Sequence, residues 1–305
     1  MGNYKFAAFV MTYERSDLIL QTIKDIKTQA VAPELILIVD NSISNDTKEL
    51  IVKQSFDDVI YHKMEFNSGP AGAAYYGLKE LTRQGYDWIY WGDDDNPPKD
   101  HLIFESLFNG IKQLRSNSIK LGIIGGKGGK FNKNTGRIRS LSNNELHKDT
   151  YLEVDSIPGG HTMIVNSEII KSGILPDEEL FFGFEEFDFC LKAKANNFKL
   201  YVAADRWLRV RSKAINTETN YQWKHSNLGN INLISREYYS TRNLLKIFYG
   251  NKFYLPFIYL NFKSIGKMIF GFRYGISYGT KLFRSQYLAM KHFYQNKFGA
   301  LTAKI

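Results

Sequence analysis

The run Tyr86-Asp87-Trp88-Ile89-Tyr90-Trp91-Gly92-Asp93-Asp94-Asp95-Asn96-Pro97-Pro98 constrains the fold more than any other stretch of the chain. It reads as an apolar, aromatic strand that stops at three adjacent carboxylates. The residue before a proline is pushed out of the helical region, so Asn-Pro-Pro keeps the acids in an extended loop. Three like charges side by side repel one another, and something must offset them. Mg2+ or Mn2+ would do so, because both take hard oxygen ligands and can hold substrate phosphates as well. A solvated acidic turn is the alternative. The position directly after a buried-type strand favours the metal, since ligands gather at the carboxyl ends of strands in α/β sheets.

The chain leading up to this run alternates strand and helix. Residues 6–11 form an apolar strand, and Thr12-Tyr13-Glu14-Arg15-Ser16 is a polar turn. Residues 17–29 carry Leu18, Ile19, Thr22, Ile23 and Ile26 at helical spacing. Residues 34–39 are a continuous apolar run, as in a central parallel strand, and end at Asp40-Asn41-Ser42. A capped helix follows through residue 54, then a short strand at 59–62. Asn67-Ser68-Gly69-Pro70-Ala71-Gly72 reads as a Gly-rich loop before a helix at 73–83, and beside the acid triplet it is a candidate cradle for phosphate or ribose. The alternation predicts an α/β, mostly parallel, doubly wound sheet with helices on both faces. Strand ends at Thr12-Tyr13, Asp40-Asn41 and Asp93-Asp94-Asp95 then converge on one crevice. No GxGxxG follows the first strand and no P-loop is present, which argues against a dehydrogenase or a P-loop enzyme.

The middle third is less regular. A helix at 101–115 and a strand at 121–125 lead into the basic loop Gly125-Gly126-Lys127-Gly128-Gly129-Lys130, read as a solvated hairpin tip or a phosphate contact. Gly159-Gly160-His161 precedes a strand at 162–165; the glycine pair allows close approach of backbone to a ligand, and His161 is structural or a sugar contact. A second acidic cluster lies in Phe181-Phe182-Gly183-Phe184-Glu185-Glu186-Phe187-Asp188-Phe189, where five rings surround three carboxylates. An apolar setting raises a carboxyl pKa by desolvation and makes a better general base near neutral pH. Glu185 or Glu186, at a helix N-terminus, can project into a pocket while Phe187, Cys190 and Leu191 face the core. Favourable interaction with the helix dipole explains one or two of these acids, but not all three.

Net charge divides the chain. Residues 238–305 hold 11 Lys or Arg and no Asp or Glu; the totals of 40 and 31 leave 29 basic and 31 acidic residues in 1–237, a net of −2. A near-neutral body at 1–237 thus precedes a cationic, aromatic-rich helical segment at 238–305. Its longest apolar run, 253–262, is interrupted by Pro256 and Asn261 and falls short of the roughly 20 residues that span a bilayer. Such segments lie on a membrane surface, and a homo-oligomer contact is the alternative. Nucleic-acid binding through the segment is a competing reading, set against the acidic body and the lack of an RNA-binding signature. The single Cys190 excludes an intramolecular disulfide and fits a reducing, cytoplasmic location. The short N-terminal apolar run reads as a strand, and a signal peptide would need a longer one.

With these residues on the page, the chain resembles the inverting glycosyltransferases of family 2, which have the GT-A fold. Residues 9–15, Val39-Asp40-Asn41-Ser42, the 67–72 loop, Asp93-Asp94-Asp95 (similar to the DXD motif) and Gly159-Gly160-His161 with residues 180–191 come in the family's order. The nearest flavour is the rhamnosyl- and galactofuranosyltransferase branch. The resemblance covers about the first 240 residues and implies roles. Thr12, Tyr13 and Asp40 would hold the nucleotide base, with Arg15, Asn67, Gly69 and Gly72 in the donor site. Asp94 would reach the ribose, and Asp93 and Asp95 would hold Mn2+ or Mg2+ on the diphosphate. Glu186 falls at the family's base aspartate, with Glu185 beside it. The family's histidine after the last strand is replaced here by Trp207-Leu208-Arg209-Val210-Arg211, so Arg211 would neutralise the diphosphate or His225 would complete the metal site. The implied donor is a UDP- or dTDP-sugar and the implied acceptor a glycan or lipid-linked glycan, met in the cytoplasm at the inner face of the cell membrane. A nucleotidyltransferase on a similar sheet is a nearer rival, although its Gly-rich Arg-Lys loop after the first strand is missing.

Overall fold

The structure, a computed structural model, describes residues 4–213 and 229–302. The first half alternates as its sequence predicts: β1 (Phe6–Thr12), α1 (Ser16–Lys27), β2 (Leu35–Asp40), α2 (Asp46–Gln54), β3 (Val59–Lys63), α3 (Gly69–Arg83), β4 (Trp88–Asp93) and α4 (Ile103–Ser116). Every residue of β1 and β2 is buried, as expected of strands covered on both faces. Period two sorts their side chains. Phe9 and Trp91 pack towards α3, while Ala8, Val10, Trp88 and Tyr90 pack towards α1 and α4.

The second half adds β5 (Leu121–Gly125), β6 (Gly129–Asn132), β7 (Arg137–Ser140), α5 (Asn143–Leu146), β8 (Tyr151–Val154), β9 (Met163–Asn166), α6 (Ser167–Lys171), α7 (Glu185–Ala195), β10 (Lys199–Ala203) and α8 (Ala204–Lys213). The main sheet has eight strands in the order β3-β2-β1-β4-β9-β5-β10-β8. It is parallel through β3-β2-β1-β4 and again at β5-β10, whereas β9 runs antiparallel to both β4 and β5, and β8 antiparallel to β10. The basic loop expected at 125–130 runs instead into the β6–β7 hairpin. All of β7 is exposed, so no apolar pattern announces it.

One further difference concerns the Gly-rich stretch. Helix α3 starts at Gly69, so Gly69 to Gly72 is its first turn rather than an open loop. Pro70 is tolerated there because the first helical N–H groups lack intrahelical acceptors. At the carboxyl edge of the sheet, Met11 lies opposite Asp93 and Thr12 opposite Asp40. The three polar strand ends therefore meet.

The C-terminal segment is helical: α9 (Ile234–Gly250), α10 (Tyr254–Phe270) and α11 (Ile276–Tyr294). Residue 238, where the acid-free cationic stretch starts, lies inside α9. Leu245, Ile247, Phe248 and Leu260 pack on Leu180, Phe187 and Leu191 of the body. Among the described residues no helix is long and apolar enough to cross a membrane.

Candidate active site

The turns after β1, β2 and β4 are bound to one another by their own polar side chains. Thr12 Oγ1 donates to Asp94 Oδ2 at 2.7 Å, and Thr22 Oγ1 to the Asp94 carbonyl at 2.6 Å. Arg15 Nη1 lies 3.1 Å from Asp94 Oδ1 and 2.5 Å from Asp95 Oδ2, so one guanidinium spans two of the three acids. Glu14 Oε1 accepts the Ile43 and Ser44 N–H groups, and Ser42 Oγ accepts the Glu14 N–H at 2.7 Å. Asn41 joins β2 to α3: its Nδ2 donates to the Gly69 carbonyl, and its Oδ1 accepts from Ser68 N and Oγ. Gly69 has φ +68, and a Cβ there would stand 2.1 Å from the Phe181 carbonyl oxygen, so only glycine fits.

The second acidic cluster comes to the same place from the far end of the sequence. A short turn, Glu178–Leu180, leads to Phe181, Gly183 and Phe184, all at positive φ (61°, 83° and 72°), and α7 then starts at Glu185. Left-handed backbone at a non-glycine residue costs energy and persists only where its surroundings enforce it. Here α9 enforces it. The buried Asn243 Nδ2 lies 2.9, 3.0 and 2.9 Å from the carbonyl oxygens of Leu180, Phe182 and Gly183, and Arg242 Nη2 donates to Leu180 O at 3.0 Å. Asn243 Oδ1 in turn accepts from Arg242 Nε and Nη2.

Gly159 and Gly160 run between the two acidic clusters. The Gly159 N–H donates to Glu186 Oε1 at 3.2 Å, and Asn96 Nδ2 donates to the Gly160 carbonyl. A Cβ on Gly159 would meet the Trp91 indole at 2.8 Å and Glu186 Oε1 at 3.2 Å. Bare backbone is needed for this packing. Together these elements enclose a cavity of about 470 Å³. Thr12, Tyr13, Arg15, Asn67 and Gly69 line it together with Asp93, Asp94 and Asp95 and with Glu185 and Glu186. Asn41, from the strand end expected at this crevice, also lines it, as do Phe181, Phe182 and Arg236, to which sequence reasoning gave no role in the site.

A family model for glycosyl transferase family 2 matches residues 8–173, more than half of the sequence. The chain belongs to glycosyl transferase family 2. The galactofuranosyltransferase GlfT1 of Mycolicibacterium smegmatis (strain ATCC 700084 / mc(2)155) is 28% identical over 102 residues, 33% of each chain. GlfT1 of Mycobacterium tuberculosis (strain ATCC 25618 / H37Rv) matches to the same extent. The match thus spans a third of these relatives' own length. Two solved structures share the fold. One is GalNAc-T7 with UDP, GalNAc and Mn2+ (TM-score 0.54, 13% identity, 78% of this chain and 52% of that one). The other is the mannosyltransferase PcManGT of Pyrobaculum calidifontis with GDP-Man and Mn2+ (TM-score 0.50, 12% identity, 97% and 76%). Family 2 membership decides for a glycosyltransferase over a nucleotidyltransferase.

Within this family 2 chain, three of the expected site residues stand apart from the cavity among the described residues. Asp40 is fully buried next to it, with Oδ2 accepting from Tyr61 Oη at 2.7 Å and Oδ1 from Ser42 N at 2.8 Å. Gly72 is inside α3, its Cα face against Ser68. Arg211 lies in α8, lining a second cavity of about 400 Å³, where it donates to Asn143 Oδ1 at 2.6 Å and the Leu141 carbonyl at 2.8 Å and stacks over Trp207. Helix α8 carries it away from the diphosphate position that its place after the last strand suggested, and Arg236 of α9 lines the first cavity instead. His225 lies outside the described residues, as does the side chain of His161.

Among the described residues no three His, Cys, Asp or Glu side chains form a ready-made metal cluster. The acids are nevertheless under charge stress. Burial, then Glu186, Asp95 and Asp94, push the Asp93 carboxyl up from 3.8 to about 7. The native state therefore keeps a proton that the unfolded chain gives up, and stability falls as pH rises between about 4 and about 7. In chelator, the Tm should decline across that window, and Asp93→Asn should flatten the decline. An equal slope in both proteins would contradict this account of Asp93.

Proposed function

We propose that this protein is a metal-dependent, inverting glycosyltransferase that moves a sugar from a nucleoside-diphosphate donor to a hydroxyl of a glycan or lipid-linked glycan. One observation carries the proposal: an Asp triplet and a Glu pair, remote in sequence, line one cavity large enough for a nucleotide sugar. The GlfT1 relatives favour a galactofuranose-type sugar on UDP, with rhamnose on dTDP as the related choice. The enzyme would work in the cytoplasm, peripherally at the inner face of the cell membrane, in cell-surface polysaccharide synthesis.

Mechanistically, Thr12 and Arg15 fix Asp94 for the ribose hydroxyls, and the half-exposed Tyr13 offers a ring face to the base. The site suits a divalent cation: its donors are hard carboxylate oxygens, and Arg15 pairs directly with Asp94 and Asp95 but offsets Asp93 only from a distance. Asp93 and Asp95 would hold the ion, as befits a fold whose members GalNAc-T7 and PcManGT were crystallised with Mn2+. When bound, Mn2+ or Mg2+ would supply positive charge to the leaving diphosphate. Arg236 adds a second positive charge from α9, the task first expected of Arg211. Glu186 accepts the proton of the acceptor hydroxyl. The resulting oxygen attacks the anomeric carbon from the face opposite the diphosphate. The bond from that carbon to the diphosphate oxygen breaks, and the sugar inverts.

Calorimetry of UDP binding with and without Mn2+ tests the donor site. Manganese should tighten binding at least about ten-fold in the wild type, and Asp95→Ala should abolish the gain. Equal affinity with and without metal in the wild type would remove the metal from the proposal.

A further inference from the structure

Helix α10 is apolar on the face it turns to water as well as on the face it buries. Its buried positions include Pro256, Leu260 and Ser264, and the Ser264 hydroxyl finds no partner. Its outward face carries Leu255, Ile258, Phe262, Ile265 and Ile269, spaced three and four residues apart along one stripe. Phe262 is 70% exposed and Ile269 64%. The apolar surface continues past the helix end onto Phe272, Tyr274 and Ile276. A soluble surface seldom carries so large a continuous apolar patch without a partner.

Charge identifies the partner. The same segment exposes Lys252 just before α10, Lys263 on it, Arg273 in the turn after it, and Lys281 and Arg284 on α11, and residues 238–305 contain no acid. A second copy of this chain would set one row of cations against another. An anionic lipid surface would complement them. Tyr254, Tyr259 and Tyr274, exposed at the patch, each combine an apolar ring with a polar hydroxyl and suit the headgroup boundary. At 17 residues α10 is too short to span a bilayer and fits an in-plane position.

We propose that the outer face of α10, continued to Ile276, is the surface by which this protein lies in the interface of an anionic lipid bilayer. The inference rests on the membrane-surface reading above and names the face and the lipid chemistry. It also sets the orientation: α9 joins this face to the Glu185–Glu186 loop through Arg242 and Asn243.

Vesicle flotation of the full chain tests it, using neutral phosphatidylcholine vesicles and vesicles containing about one-third phosphatidylglycerol. The wild type should float with the anionic vesicles and remain below with the neutral ones. The variant Ile258→Glu/Phe262→Glu should lose about ten-fold in bound fraction while keeping its melting temperature and its UDP affinity, since both side chains point away from the protein. If the variant floats like the wild type, this face is wrong and the membrane reading survives. If the wild type ignores anionic vesicles, the membrane reading fails as well, whereas unchanged UDP binding keeps the glycosyltransferase reading. A wild-type dimer by light scattering that the variant converts to monomer, without vesicle binding, would assign the face to a second copy and overturn the proposal.

Discussion

Glu186→Gln should lower glycosyl transfer by about 10²- to 10⁴-fold, the span that a positioned general base supplies, and leave UDP affinity within a few-fold of wild type. The reason lies in how two neighbouring acids, Glu185 buried and Glu186 partly so, share a proton. Burial raises both carboxyls, and each is penalised further if the other ionises. Glu186 accepts the Gly159 N–H, which favours its charged form. Glu185 Oε2 is buried without any partner, and its carboxyl is pushed well above the usual range by burial and then by Glu186. A proton held by the pair leaves one carboxylate able to take another, and the Gly159 N–H favours Glu186 in that role. Glutamine imitates a protonated glutamate, so Glu185→Gln should keep activity within about ten-fold of wild type. If instead Glu185→Gln is the more damaging change, the base is Glu185.

The second large effect is expected far from the reacting atoms in sequence. Asn243→Ala should lower stability by about 3 kcal/mol, because it strips a buried amide from three carbonyls and removes the acceptor of the Arg242 guanidinium. For a chain of this size that corresponds to a Tm loss of roughly 5–10 °C. The released carbonyls belong to the segment whose Phe181 and Phe184 are held at positive φ immediately before Glu185. Relaxation of that backbone turns the start of α7 and misplaces the base. Transfer should accordingly fall more than UDP affinity, which depends chiefly on Thr12, Arg15 and the Asp triplet. A Tm and a kcat both within error of wild type would show that α9 does not support this loop.

The parts of the site legible in the sequence are those on which local pattern and topology agree. Continuous apolar runs ending in Thr12, Asp40 and Asp93 could only be covered parallel strands, and parallel strands bring their carboxyl ends together. Glu185 and Glu186 stood out because so many rings surround them. Other features depend on contacts that leave no local mark. Asn243 and Arg242 lie some 60 residues from the carbonyls they hold, within a segment whose composition speaks first of charge. Arg236 sits on the same helix, at the end of the near-neutral stretch and next to Glu237, where nothing local marks it. The antiparallel direction of β9 is hidden because a four-residue buried strand, Met163–Asn166, has the same pattern in either direction. Asn67 to Gly72 resembled an open loop because two glycines and a proline mask the first turn of α3. Arg211 was expected near the diphosphate from its position after β10, and helix α8 carries it to Asn143 and Trp207 instead.

The account stands or falls on donor turnover. Purified protein incubated with Mn2+ and a panel of nucleotide sugars, with released nucleoside diphosphate as the readout, should consume one donor, with a UDP-linked galactofuranose first and a dTDP-linked rhamnose second. Release should stop on chelation and in Asp95→Ala, and the product linkage should be inverted. Failure to release diphosphate from any donor, or release indifferent to both chelator and Asp95, would contradict the central claim.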